Sequence, residues 1–391
     1  VDAYVAGLCG PLTPPPIDDL RRAVTTLADR YPQCRLSWGL DAARRHWKID
    51  DDIESIVVEH GSHHDLPVGR VLDAIASDET LRTPFALIRF PRALGFKMSH
   101  SLGDGGIFTS VFPALLMTAM SGDPYPWPFI PGPRFPLALT VCRTFGRNPT
   151  LIRKAIGDRP TEHADAPAGT QVPWQPSRRT LFAGIPTGRF DEIEGWAKQF
   201  APGAGRIALQ MTLIMRSLRR CGLPVQSNIG LLVDLRRYRG PGPIDGNFAA
   251  GVPLRFDSSD SPAALSASIR ATLASARPLA TQVLTTLRRG GPGVPPSTVD
   301  SHGVPQVTFT ALRARQETDG LPFLPDGPVT YTGSVEPAGP LGITFLIVET
   351  SNITAITACF HDNAINPEIV EAALRLVESA PFDLLTETDA H

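Results

Sequence analysis

The chain has no apolar run approaching the roughly 18 residues that a membrane-spanning helix needs, so no span is expected. Its five cysteines (Cys9, Cys34, Cys142, Cys221, Cys359) are far apart and odd in number, and no Cys-x-x-Cys pair occurs. That argues against a disulfide framework or a thiolate zinc site and points to a reducing, cytoplasmic setting. Charge of either sign is not in excess. With 37 basic and 39 acidic side chains the net charge is -2, which gives no overall pull towards nucleic acid or an anionic surface. There is no glycine-rich phosphate loop, so no nucleotide cofactor is implied. The start, Val1-Asp2-Ala3-Tyr4, lacks the basic residues and apolar core of a signal peptide. No short internal repeat is visible.

What is abundant is proline and glycine, 39 and 34 in 391 residues, which implies many turns and long loops around a 42% hydrophobic chain. That length exceeds one ordinary core, so two domains or a double domain is expected. Ile17, Leu20, Val24 and Leu27 recur at helical spacing and predict a helix over 17–30, with Asp18 and Asp19 at its positive end. Strands are read at 35–39, 46–49 and 54–59, a helix at 68–76, a hairpin from 85–90 and 93–98, and a helix over 107–120. From 121 to 175 the chain is proline-rich and aperiodic and reads as a crossover, with one short helix near 149–156. A second series follows: a strand at 180–185, helices at 187–200 and 206–220, and strands at 228–235 and 252–256. Next come a long helix over 262–289 broken near Pro278 and a flexible linker at 290–296. Strands at 305–312, 329–332, 342–350 and 353–360 precede a closing helix at 367–379. Strands and helices alternate in both series. The class is therefore α/β, with a first half at 1–135, a linker at 136–178 and a second half at 179–391.

The chemistry concentrates in Lys97-Met98-Ser99-His100-Ser101-Leu102-Gly103-Asp104-Gly105-Gly106. It runs off an apolar strand and into an apolar helix, and three glycines permit a tight turn between them. His100 sits at the strand end, where an imidazole near the Asp104 carboxylate can act as a general base close to neutral pH. A histidine satisfied by its loop neighbours is the plain alternative. His63-His64-Asp65 has the look of a metal cluster but no further ligand is spaced to complete it, so no metal is expected. His361-Asp362 reads as structural. The pairs Arg178-Arg179, Arg219-Arg220 and Arg288-Arg289 read as solvated, although any of them could meet a phosphate.

A second constellation changes the weight of the first. Val233-Asp234-Leu235-Arg236 ends a strand, and a proline-rich loop leads on to Gly246-Asn247. With His100-Ser101-Leu102-Gly103-Asp104-Gly105, a full His-x-x-x-Asp-Gly motif, the chain resembles the chloramphenicol-acetyltransferase-like acyltransferase superfamily. That group holds the plant BAHD acyltransferases, peptide-synthetase condensation domains, and polyketide-associated and wax-ester acyltransferases. The element order fits over roughly residues 1–380. Two features depart: Ser99 stands where condensation domains usually carry a second histidine, and the late Asp-Phe-Gly-Trp-Gly segment of BAHD enzymes is absent.

The resemblance implies two similar mixed-sheet halves with an active-site tunnel between them. It implies an acyl group moved from a thioester, on coenzyme A or an acyl carrier protein's phosphopantetheine, to an alcohol or amine in specialised-metabolite or lipid biosynthesis. His100 would be the base. Asp104 would point away from substrate and form a bidentate pair with Arg236, with Arg35 as the rival partner. Thr310 or Thr308 would supply the oxyanion donor, and Ser99, Gly105 and Asn247 would lie along the substrate channel. No tightly bound cofactor is implied, the partners are a small acceptor and possibly a carrier protein, and a monomer is expected. Cyclisation or rearrangement of a carrier-bound chain, or a non-catalytic carrier-docking role, are the alternatives.

Overall fold

A computed structural model describes residues 4–41, 46–49, 56–61, 66–81, 83–129, 132–157, 169–240, 244, 246–257, 260–287 and 296–386. The first described element is a strand, β1 (Tyr4–Gly10), buried at six of its seven residues. Gly7 is required there, because a Cβ would come within 2.6 Å of the Phe96 ring. Helix α1 (Ile17–Arg30) buries Leu20, Ala23, Val24 and Leu27 and opens on Asp18 and Asp19, where acidic side chains favour the helix dipole. A hairpin of β2 (Trp38–Asp41) and β3 (His46–Ile49), then β4 (Val57–Glu59) and α2 (Val68–Ser77), lead to the hairpin of β5 (Phe85–Arg89) and β6 (Leu94–Ser99). Helix α3 (Gly105–Ser121) follows and is apolar almost all round, as befits a helix enclosed by the core.

The crossover contains more structure than its composition suggests. Helix α4 (Pro136–Arg147) precedes the expected short helix α5 (Thr150–Gly157) and a strand β7 (Gln171–Pro173). The second series is β8 (Arg178–Pro186), α6 (Thr187–Phe200), α7 (Arg206–Arg220), β9 (Asn228–Asp234), β10 (Ala249–Arg255), α8 (Pro262–Ala274), α9 (Arg277–Leu287), β11 (Thr298–Asp300) and β12 (Gln306–Arg313). It closes with α10 (Arg315–Thr318), β13 (Thr330–Ser334), β14 (Gly342–Glu349), β15 (Ile353–His361), α11 (Pro367–Ser379) and α12 (Pro381–Thr386). The break expected near Pro278 in the helix over 262–289 falls just before it, at Ala276, which has a φ of 55° and parts α8 from α9.

Two mixed sheets organise these elements. The larger runs β10-β9-β12-β14-β15-β8, with β12 parallel to both its neighbours and the other pairs antiparallel. Pro253 lies in β10, at the sheet edge, where a missing N–H is tolerated. The smaller sheet runs β13-β1-β6-β5-β4. Its outermost strand, β13, comes from the far end of the sequence, so a boundary at 178/179 does not part the two sheets. Ala6 to Gly10 pair with Thr330 to Ser334 across that junction. Strand β14 is buried at all eight residues. Ile343, Phe345 and Ile347 pack with α6, α7 and α11, whereas Leu346 and Val348 join the core built on β6 and α3.

Candidate active site

The His100 turn is positioned by its two flanking elements. Strand β6 is buried throughout and delivers His100 half-exposed at its end. Asp104 then caps α3, its Oδ1 accepting from the Gly106 N–H at 3.1 Å, which satisfies one of the helix's orphan donors. Its other oxygen accepts from Arg236 Nη1 at 2.6 Å and from the Phe248 N–H at 2.9 Å. Asp104 thus ties the start of α3 to the segment between β9 and β10, joining the two sheets next to His100.

The arginine side of this pair differs from the expected bidentate fork. Arg236 touches Asp104 through one nitrogen only. Its Nε and Nη2 donate to the Ile244 carbonyl at 2.9 and 2.7 Å, and Nη2 also donates to the Gly246 carbonyl at 2.8 Å. Asp234 approaches the same Nη1 at 3.2 Å. Burial works against the guanidinium charge, but the hydrogen bond and charge of Asp104, with Asp234 beside it, hold the Arg236 pKa above its ordinary value. Arg35, the rival partner, donates instead to the Leu102 carbonyl at 3.5 Å.

Asn247 sits behind the imidazole. Its Nδ2 lies 3.2 Å from His100 Nδ1 and 3.4 Å from the His100 carbonyl oxygen. An amide nitrogen donating to Nδ1 leaves the ring proton on Nε2. Turned end for end, the carboxamide oxygen accepts Nδ1–H and frees the Nε2 lone pair. The orientation of one amide therefore decides which ring nitrogen is basic. Loss of a single such hydrogen bond is worth about 1 kcal/mol. Asn247→Ala is accordingly expected to lower kcat about fivefold to tenfold, with KM little changed. A KM effect alone would mean that Asn247 meets substrate rather than His100.

His100, Asp104, Gly105, Arg236, Thr308 and Thr310 all line one cavity of about 880 Å³ between the two sheets. From Val307 to Thr310 the residues of β12 alternate between core and cavity. Val307 and Phe309 are buried in the core under the larger sheet, while Thr308 and Thr310 turn to the cavity. Gly105 approaches Leu312 so closely that a Cβ would collide with its methyl groups. The glycine therefore serves contact between α3 and β12 as well as room in the cavity. Ser99 and Asn247 do not line the cavity. Ser99 is buried, with its Oγ 2.6 Å from that of Ser101.

Sequence reasoning did not find the rest of the wall. Phe108, Phe129, Leu232 and Leu346 make much of it apolar, while Gln316, Glu317 and Glu336 are polar points on it. These come from six different segments, and no local pattern marks them.

The other candidates part company with the site. His63-His64-Asp65 lies outside the described residues, as does Arg288-Arg289. Arg178 is engaged within the protein, with Glu336 at 3.4 Å and Ser334 at 2.8 Å. His361 is buried against Trp174, and its Nδ1 accepts from the Ser177 N–H at 3.2 Å. Burial pushes its pKa below the usual imidazole value. The unfolded chain then binds a proton more readily than the folded one. The stability this neutral histidine permits is whole above about pH 6.5 and is lost as pH falls through that value and below. Melting temperature is expected to drop on acidification from pH 7 to 5, and the drop to be smaller in His361→Asn, which keeps an acceptor for Ser177. An equal drop in both proteins would move the acid sensitivity elsewhere.

No protein-family model matches the chain, and no curated protein matches it by sequence. Solved structures do share its fold. The condensation domain from the monacolin K polyketide synthase is 13% identical, with a TM-score of 0.60 over 98% of this chain and 91% of that one. The PapA2 acyl transferase is 16% identical, with a TM-score of 0.54 over 99% of this chain and 86% of its own. A structure titled as the molecular basis of condensation domain-mediated chain release from the enacyloxin polyketide synthase is 15% identical, at 0.53 over 99% and 78%. At such identities the likeness is one of fold, and it extends over essentially the whole chain.

Proposed function

We propose that this chain, which has the two-sheet fold of condensation domains and of the PapA2 acyl transferase, transfers an acyl group from a thioester to an alcohol or amine. The observation that carries the reading is His100 on the wall of the cavity between the sheets, on a turn held by Asp104 and Arg236. His100 takes the proton of the acceptor as its oxygen or nitrogen attacks the thioester carbonyl. The tetrahedral intermediate collapses with cleavage of the C–S bond, and the same proton passes to the leaving thiolate, so that ester or amide and free thiol are the products. The Thr308 or Thr310 hydroxyl serves the oxyanion. The apolar stretch of wall suits an acyl chain, and the cavity volume lies in the range of small-molecule sites.

The test is thiol release. Purified protein is mixed with acyl-coenzyme A and acyl-pantetheine thioesters and pooled alcohols and amines, with His100→Ala alongside. Acceptor-dependent release lost in the variant supports the reading. Release that survives it moves the chemistry away from His100. A product with the mass of its carrier-bound starting chain would instead support cyclisation or rearrangement, the course suggested by Ser99 in place of a second histidine.

A further inference from the structure

The chain's total charge conceals a local asymmetry. Residues 124–157 hold Arg134, Arg143, Arg147, Arg153 and Lys154 and not one aspartate or glutamate, a net +5 in a chain whose total is -2. All five cations are exposed. This stretch forms α4 and α5, and α5 packs on α9, which likewise has no carboxylate.

The same three helices turn apolar side chains outward. Phe135 is 63% exposed, Leu139 54%, Ile152 48%, Ile156 61% and Leu287 78%, five of the nine large exposed hydrophobics among the described residues. They are not strays from a frayed core. Phe135 immediately precedes α4 and Leu139 lies in its first turn, while Ile152 and Ile156 are four apart on α5 and form a row on one side. The opposite side of α4 is already occupied: Leu137, Val141 and Phe145 pack against the small core of Leu235, Ile244, Phe248 and Leu279.

We propose that the α4–α5–α9 face is a peripheral docking surface for an anionic lipid bilayer. Amphipathic helices with aliphatic and aromatic side chains on one side and cations around them lie in the interface plane, the apolar row in the acyl boundary and the cations among the headgroups. These three helices have both parts, and none of them carries a carboxylate to repel the headgroups. No described helix is long and apolar enough to cross a membrane, so association would be superficial. The packing of α4 on Leu235 and Phe248 places the face behind the segment that carries Arg236 and Asn247. The proposal does not rest on acyl transfer and stands or falls without it.

The experiment is co-sedimentation of the full chain with vesicles of phosphatidylcholine alone and of equal parts phosphatidylcholine and phosphatidylglycerol. The expected result is binding at least tenfold stronger to the anionic vesicles, weakened by raised salt. Leu139→Glu with Ile156→Glu, both on the outer side and so compatible with the fold, is expected to abolish it. Arg147→Glu with Lys154→Glu, which leaves every apolar contact intact, is expected to do the same. Both double variants should keep the wild-type melting temperature and thiol-release rate with soluble thioesters. Equal binding to both vesicle types, or binding to neither, overturns the proposal. So does capture of an acidic carrier protein by the wild type, lost in both variants, in place of vesicle binding.

Discussion

Asp104→Ala is expected to destabilise the protein by about 3 kcal/mol as well as to inactivate it. Removing one member of a buried ion pair typically costs about 3–5 kcal/mol, because the partner's charge is left without compensation. Asp104 is 5% exposed and loses three bonds at once: the α3 cap, the Phe248 N–H and the Arg236 contact. Asp234 remains 3.2 Å from Arg236 Nη1 and is itself exposed, which sets the cost at the lower end of that range. In a chain of 391 residues the melting temperature would fall by about 4 °C. Asp104→Asn keeps a single acceptor oxygen, enough for the Gly106 N–H or the Phe248 N–H but not both, and loses the charge, so it recovers at most part of the alanine loss. Thermal unfolding of the three proteins at pH 7 checks this. An alanine variant that melts with the wild type would remove Asp104 from the role of joining the sheets.

His100→Ala is expected to behave in the opposite way, losing activity without losing stability. General-base assistance is worth about 10²–10⁴ in rate, and the loss should fall on kcat. The side chain is half-exposed with Asn247 as its polar neighbour, so stability should change by no more than about 0.5 kcal/mol. Thiol-release kinetics and a melting curve on the same preparation separate the two effects. The pair of variants is informative together: neighbouring residues on one turn, one that folds the site and one that works in it.

Much of this was legible in the chain. Helices α1, α2, α6, α7 and α11 show in their apolar spacing, and the His100 turn in a strand, three glycines and a helix. The threonines of β12 follow from the resemblance, which sets their strand opposite His100, and the structure places both on the cavity wall. Strand β1 could not be read, because Tyr-Val-Ala-Gly-Leu-Cys-Gly is buried on both sides and has neither alternation nor many branched residues. Helix α4 was obscured for a different reason. Its inner row of Leu137, Val141 and Phe145 is clear, but Leu139 on the outer side blurs the period, and prolines flank it. The pairing of Asp104 with Arg236 joins residues 132 positions apart. Its partners were identifiable, whereas the engagement of the guanidinium with Ile244 and Gly246 depends on how the loop turns.

The joining of β13 to β1 bears on how the protein is made. A ribosome adds about 5–20 residues per second, so on the order of tens of seconds separate the emergence of β1 from that of Thr330–Ser334. Until then one edge of β1 has no partner strand, and an unpaired edge is a template for joining other chains. The N-terminal portion is therefore a poor candidate for separate expression, and the nascent polypeptide a natural client for a chaperone that shields sheet edges.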